Sequence, residues 1–359
     1  MTNDVAGRTN LYDLAPQELR ATLAEVVSPP FRIKQIADWM HIHGVDSFNA
    51  MSNIPKELRA RLAERFTLEF PDVVERTEPA PDGSVKYLSV LGDGNRIESV
   101  YMPMRDRTSV CLSSQAGCAV GCTFCVTGFF GAGRNLTPSE MLGQLFTVQH
   151  EQHVPAEMTN VVFMGMGEPL LNWDAVDRAL TILNHPEGLG IGARHITVST
   201  VGILPGVAQL ARRPEQFRLA VSLHAPTPEL RHELMPIEKK YRLADVVAAL
   251  GQFRRRVTLE YVLIGGKNDA LEHADRLAQL ARPLGALVNL LPLHPGGAPE
   301  LTPSPRAQML AFERRLKRRG VEAVLRRSRG LDISAACGQL RVELEARRKV
   351  RAEEHARVE

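Results

Sequence analysis

Long apolar runs are missing from this 359-residue chain. Nothing approaches eighteen consecutive apolar residues, which excludes a transmembrane helix. The first residues, MTNDVAGRTNLYDL, contain no apolar stretch of the kind a secretory signal needs. The expectation is therefore a cytoplasmic protein with no membrane partner. Aromatic residues make up 5%, too few for an aromatic stacking platform. Neither sign of charge dominates: 44 Lys/Arg against 41 Asp/Glu leaves +3, which alone names no partner class. Internal repeats and low-complexity tracts are absent. Cysteine is scarce, and its count of five is odd, which excludes a disulfide scaffold.

What is present is unevenly distributed. From Arg306 to the end there are 15 Lys/Arg and 8 Asp/Glu, while the rest of the chain is slightly acidic. A polyanionic partner would favour such a segment, although solvated arginine-rich helix faces account for the same count. Three of the five cysteines, Cys118, Cys122 and Cys125, fall within eight residues. The other two are Cys111 and Cys337.

Residues 1 to about 75 read as helical, with apolar residues at three-and-four spacing over 15–27, 31–44 and 54–66. Residues 84–104 switch to strand character around a Gly-Asp-Gly-Asn turn and predict a β-hairpin. From 109 onward strands and helices alternate. Strands are predicted at 109–114, 159–164, 195–200, 217–223, 257–263 and 286–291, with helices at 137–150, 173–184, 202–212, 241–253 and 269–282. Thr137, Pro138 and Glu140 supply an N-cap, a first-turn proline and a capping-box glutamate. A helix at 305–319, a strand near 321–327 and a helix from about 333 complete the pattern. Successive strand–helix units predict a parallel sheet, and six units are too few for a closed eight-unit barrel. The fold class is α/β: a partial (β/α)6 TIM-like barrel. The division is a helical domain over 1–80, a linking hairpin over 81–104, a core over 105–331 and a C-terminal extension over 332–359.

Cys118-Ala-Val-Gly-Cys122-Thr-Phe-Cys125 is a C-x3-C-x2-C array at the C-terminal end of a predicted strand, where such folds place chemistry. Gly117, Gly121 and Gly128 let backbone wrap around a centre. A structural zinc site would want a fourth Cys or His nearby, and none follows in the loop. A C-x2-C redox pair would leave Cys118 unexplained. Three ligands suit a [4Fe-4S] cluster with one iron left open for a small molecule, a reading favoured over zinc. Cys111 and Cys337, as isolated residues, would ordinarily be small buried hydrophobes. Context changes that: Cys111 precedes the array by seven residues, and Cys337 follows Arg326, Arg327 and Arg329, which would favour its thiolate.

The array resembles that of the radical S-adenosylmethionine superfamily. The longer blocks resemble the RlmN/Cfr family of RNA adenine methyltransferases: SSQAGCAVGCTFCVTGFFGAGRNLT, FMGMGEPLLN, ITVSTVGILP, LAVSLHAP, MPIEKKY, LEYVLIGGKND and DISAACGQL, with FRIKQIADWM and IPKELRARL near the N-terminus. The resemblance spans nearly the whole chain. It implies the cluster on Cys118, Cys122 and Cys125, and S-adenosylmethionine used twice per turnover. It places Gly167, Glu168, Ser199, Ser222, Leu223, His224 and His294 at the cofactor. Family members usually carry Asn where this chain has His294, and an imidazole cannot donate and accept through one amide plane.

The same resemblance implies methylation at C2 of an adenosine in 23S rRNA and of one in some tRNAs, positions 2503 and 37 in the family's RNA numbering. Cys337 would carry the methyl group, Glu98 would take the ring proton, and Cys111 would resolve the product through a transient disulfide with Cys337. Cys111 is an alternative base. An electron donor such as flavodoxin and a monomeric state are expected. Arg105, Arg107 and Arg134 flank the active-site loops as candidate phosphate contacts, with an ordinary surface role equally open. The rival activities are C8 methylation of the same adenosine and, from another class, non-catalytic RNA binding by a zinc protein.

Overall fold

The structure is a computed structural model and describes residues 7–129, 131–294, 300–326, 329–330 and 333–334. Three helices open it: α1 (Pro16–Ala24), α2 (Phe31–His41) and α3 (Lys56–Arg65). Their apolar stripes, Leu19 and Leu23, then Ile33, Ile36 and Met40, then Leu58 and Leu62, turn into one core. The sequence reading made everything up to about 75 helical. Here the structure differs. Strands β1 (Thr9–Asn10) and β2 (Phe66–Thr67) pair in parallel around the helices, and β3 (Asp72–Arg76) leaves for the main sheet. These strands are short and their partners are distant, so no local periodicity marks them.

The predicted hairpin is β4 (Val85–Val90) and β5 (Arg96–Pro103). The predicted parallel strands follow as β6 (Thr108–Cys111), β7 (Thr159–Phe163), β8 (Ile196–Thr200), β9 (Arg218–Ser222), β10 (Thr258–Leu263) and β11 (Leu287–Pro292), then β12 (Ala323–Leu325). They form one ten-stranded sheet in sequential order from β12 to β3. Strands β6 to β12 are parallel and β3 to β6 antiparallel. The hairpin is paired into the sheet on both sides.

Six crossover segments turn strands into β/α units: the short α4 (Val126–Phe129) with α5 (Pro138–Gln152), α6 (Trp173–Asn184), α7 (Leu204–Arg212), α8 (Pro228–Leu234) with α9 (Leu243–Gly251), α10 (Leu271–Ala281) and α11 (Arg306–Arg318). The sheet ends at β12 and β3, so the barrel is partial as predicted. The predicted capping box of α5 is present: the Glu140 N–H donates to Thr137 Oγ1 at 3.2 Å, and the Thr137 N–H to Glu140 Oε2 at 2.9 Å. Among the described residues no helix is long and apolar enough to cross a membrane.

The helical domain docks on α5 and α6. Tyr12 packs on Phe70 and Phe146, the Ser139 N–H donates to Asp13 at 2.8 Å, and His41 Nδ1 lies 2.8 Å from the Glu187 carbonyl. One apolar core runs through both parts.

Candidate active site

Side chains alternate across a strand, so register decides which residues share a face. Val161, Phe163, Ile196, Val198, Leu219, Val221, Leu259 and Leu290 are buried beneath the helices. Their alternates point to the inner, concave face. Val100 pairs with Cys111, Cys111 with Val162, Ser199 with Ala220, Ser222 with Glu260, and Glu260 with Asn289. Alternation therefore puts Glu98, Cys111, Ser199, Ser222, Glu260 and Asn289 on that one face. A polar inner face is unusual for parallel strands, which are normally apolar on both sides.

Cys111 is buried beside Val100 and Met166. Glu98 is 1% exposed, and its Oε1 lies 3.3 Å from the ammonium of Lys86, itself 5% exposed. The sequence reading missed Lys86. In SVKYLSV both alternating sets become buried, so nothing local distinguishes it from a solvated lysine.

The loop after β6 carries the three thiols. It is cinched where Gly117, at φ +134, meets Gly131 and Gly133: a Cβ on Gly117 would come within 2.7 Å of the Gly133 nitrogen. The Cys118 N–H donates to the Gly131 carbonyl at 2.9 Å, the Cys125 N–H to Cys122 at 3.1 Å, and the Thr123 N–H to Leu234 at 3.0 Å. Burial raises the pKa of all three thiols, that of Cys118 to about 12. Negative charge on Cys125 opposes ionisation of Cys118 and Cys122, as does Glu168. Buried, mutually repelling thiolates are what a cationic centre relieves, so the donor set fits a cluster. Among the described residues no group of three or more His, Cys, Asp or Glu side chains is gathered to hold a single metal ion. A cluster differs in giving each thiol its own iron.

Glu168 sits at the end of β7. Its Oε1 accepts from the Leu170 N–H at 3.0 Å and its Oε2 from the Val201 N–H at 2.8 Å. Burial nevertheless pushes its pKa up to about 7, against these hydrogen bonds. Gly167, at φ +97, brings the backbone against Gln115, whose Oε1 accepts the Glu168 N–H at 2.8 Å. His224 follows β9 with a left-handed backbone, φ 55. Its Nδ1 accepts the Val262 N–H at 3.0 Å, so any proton sits on Nε2, and burial lowers its pKa to about 3. Its ring meets Phe124 of the thiol loop edge-on, centroids 4.7 Å apart. Leu223 is fully buried, and Ser199 and Ser222 are half-buried. His294 follows β11, and burial lowers its pKa.

Sequence reasoning also missed Arg231, on α8. It is fully buried, pairs with Glu238, and donates to the carbonyls of Val201 at 2.7 Å and Tyr241 at 2.8 Å. It thereby braces Val201, the residue whose N–H holds Glu168. Two of the candidate phosphate contacts are engaged within the protein. Arg134 pairs with Glu140 and Asp93, and Arg107 donates to Asn160 and to the carbonyls of Glu157 and Thr159. Cys337 and the predicted helix around it lie outside the described residues, as does Arg327. Of the neighbouring arginines, Arg329 donates to the Pro103 carbonyl at 2.7 Å.

Residues 112–281 match the radical SAM superfamily model, and residues 9–68 match the ribosomal RNA large subunit methyltransferase N-terminal domain. A protein of Gemmatimonas aurantiaca named "Probable dual-specificity RNA methyltransferase RlmN" is 51% identical over 97% of this chain and 98% of its own. This chain belongs to the RlmN family. A Thermus thermophilus protein of the same name is 44% identical over 92% of each chain. The crystal structure of a radical SAM methyltransferase from Sphaerobacter thermophilus is 44% identical, covers 93% of this chain and 99% of its own, and superposes with a TM-score of 0.88. Radical SAM membership implies a [4Fe-4S] cluster and S-adenosylmethionine.

Proposed function

We propose that this chain methylates C2 of an adenosine in 23S rRNA and of one in some tRNAs. The observation that carries the reading is the shared inner face: Glu98 and Cys111 are neighbours there, at the strand that feeds the three-thiol loop. The relatives' names supply the substrate class. In this reading Cys118, Cys122 and Cys125 hold the cluster. Gly167, Glu168, Ser199, Ser222, Leu223, His224 and His294 surround S-adenosylmethionine. When bound, the two groups together supply a 5′-deoxyadenosyl radical.

The protein's own residues carry the rest. Aromatic C2 of adenine is not nucleophilic, so a direct methyl transfer would stall. Cys337 offers a thiolate to the first S-adenosylmethionine and becomes S-methylated. The second serves radical formation, and the carbon on Cys337, after losing a hydrogen atom, joins C2. Glu98 takes the ring proton, and the odd electron left on the adduct would return to the cluster held by Cys118, Cys122 and Cys125. Burial favours this by removing competing water. The Cys111 thiolate then attacks the Cys337 sulfur, forming the S–S bond and breaking the S–C bond to the base, whose released carbon takes a proton and becomes the methyl group. Ser334 is described and lies three residues before Cys337. The division at residues 80, 104 and 331, a cytoplasmic monomer, and a flavodoxin-like electron donor belong to the same reading.

The test is anaerobic reconstitution followed by turnover of the Cys111→Ala variant. A brown protein absorbing near about 400 nm is expected, together with a ribonuclease-sensitive protein–RNA adduct. A colourless protein holding zinc contradicts the enzyme reading. A variant that turns over normally contradicts the role of Cys111.

A further inference from the structure

Lysine is rarely buried unless it is paired. Lys86 is nearly fully buried, and it bridges two things. Lys86 opposes Val100 and Leu88 opposes Glu98, so Lys86 and Glu98 are diagonal neighbours on the inner face. The ammonium lies 3.3 Å from Glu98 Oε1 and donates to the Ser334 carbonyl at 3.4 Å. An ammonium offers three donors and no acceptor, which suits a place between a carboxylate and a carbonyl.

Two more bonds fasten the same C-terminal segment to the same hairpin. Arg329 donates to the Pro103 carbonyl at 2.7 Å, and the Gly330 N–H donates to Asp82 Oδ2 at 3.1 Å. Those two lie towards the ends of the hairpin strands. Lys86 is the anchor inside the site. It is also the last one along the described chain before Cys337.

We propose that Lys86 is a positioning residue: its ammonium pins the Ser334 carbonyl beside the Glu98 carboxylate, and methylation of Cys337, three residues further along the sequence, depends on that pin. The inference rests on the roles proposed above for Glu98 and Cys337. It assigns Lys86 no chemistry of its own. Loss of the pin should slow methylation of Cys337 itself, before any RNA is bound.

The test uses the anaerobic holoenzyme with S-adenosylmethionine. Methyl on Cys337 is read by peptide mass spectrometry, and transfer is read on a 23S rRNA transcript. Lys86→Gln should slow loading of Cys337 by about tenfold or more, and Lys86→Arg should retain most of it. Glu98→Gln should load normally and fail only in transfer. Normal transfer by Glu98→Gln would remove the base assignment and leave the loading comparison intact.

Lys86→Gln strands a buried carboxylate and can lose stability for that reason alone. The double variant Lys86→Met with Glu98→Leu removes both charges and restores stability while the pin stays absent. Its loading of Cys337 should remain slow. Loading that recovers together with stability, or wild-type loading in folded Lys86→Gln, overturns the proposal.

Discussion

Arg231→Met removes a fully buried guanidinium and leaves three groups behind. The Glu238 carboxylate is 8% exposed and loses its cation. The carbonyls of Val201 and Tyr241 lose their donors. Breaking a buried pair from one side costs about 3–5 kcal/mol, most of it from the stranded charge. At about 2.1 cal/mol/K per residue, unfolding a cooperative chain of 359 residues carries roughly 0.75 kcal/mol/K. A loss of about 4 kcal/mol therefore lowers the melting midpoint by about 5 °C. The effect should reach the site, because the Val201 N–H also holds Glu168. Thermal melts at a fixed scan rate, with the cluster loaded, measure the first consequence, and S-adenosylmethionine affinity measures the second. Adding Glu238→Leu should restore most of the midpoint. It cannot restore all, since Glu238 also accepts the Leu243 N–H at the start of α9. A single variant that melts within about 1 °C of the parent, as surface substitutions do, would refute the reasoning.

His41 gives a pH dependence of definite sign. Burial lowers its pKa from 6.5 to about 4, and the Glu187 carbonyl can only accept, so the neutral ring donates through Nδ1. The native state therefore prefers the neutral form. The contribution is fully present above pH 6.5 and is lost as the pH falls towards about 4; the full shift is worth about 3 kcal/mol. Denaturant unfolding across that window should show the loss, and His41→Gln should flatten it; an unchanged slope contradicts the assignment. Gly167→Ala forces a Cβ to within 2.5 Å of the Gln115 side chain at φ +97. S-adenosylmethionine affinity measured by equilibrium dialysis should fall by about tenfold, and parental affinity would show that the cradle can relax.

The parts legible in the sequence were those whose signal is local. The six β/α units, the hairpin and the Thr137–Glu140 capping box are periodicity and turn chemistry. The thiol array is spacing. What escaped depends on partners far along the chain. Lys86 and Ser334 are 248 residues apart, and Ser139 takes its partner 126 residues away in Asp13. Arg231, in RHELMP, has the sequence of a solvated helix charge. Its burial depends on Val201 and Tyr241, contributed by other segments. Arg134 pairs with Asp93 on another loop, a partner that nothing local in the sequence announces. The polarity of the inner face became visible only once register aligned Ser222, Glu260 and Asn289 across three strands.

Regiochemistry on the RNA is the central claim, and nucleoside analysis tests it most directly. Ribosomal and transfer RNA from a deletion strain of the source organism, digested and read by mass spectrometry, should lack 2-methyladenosine. Complementation with the parental chain should return it, and Cys337→Ala should not. Retention of 2-methyladenosine, with loss of 8-methyladenosine in its place, would contradict the account.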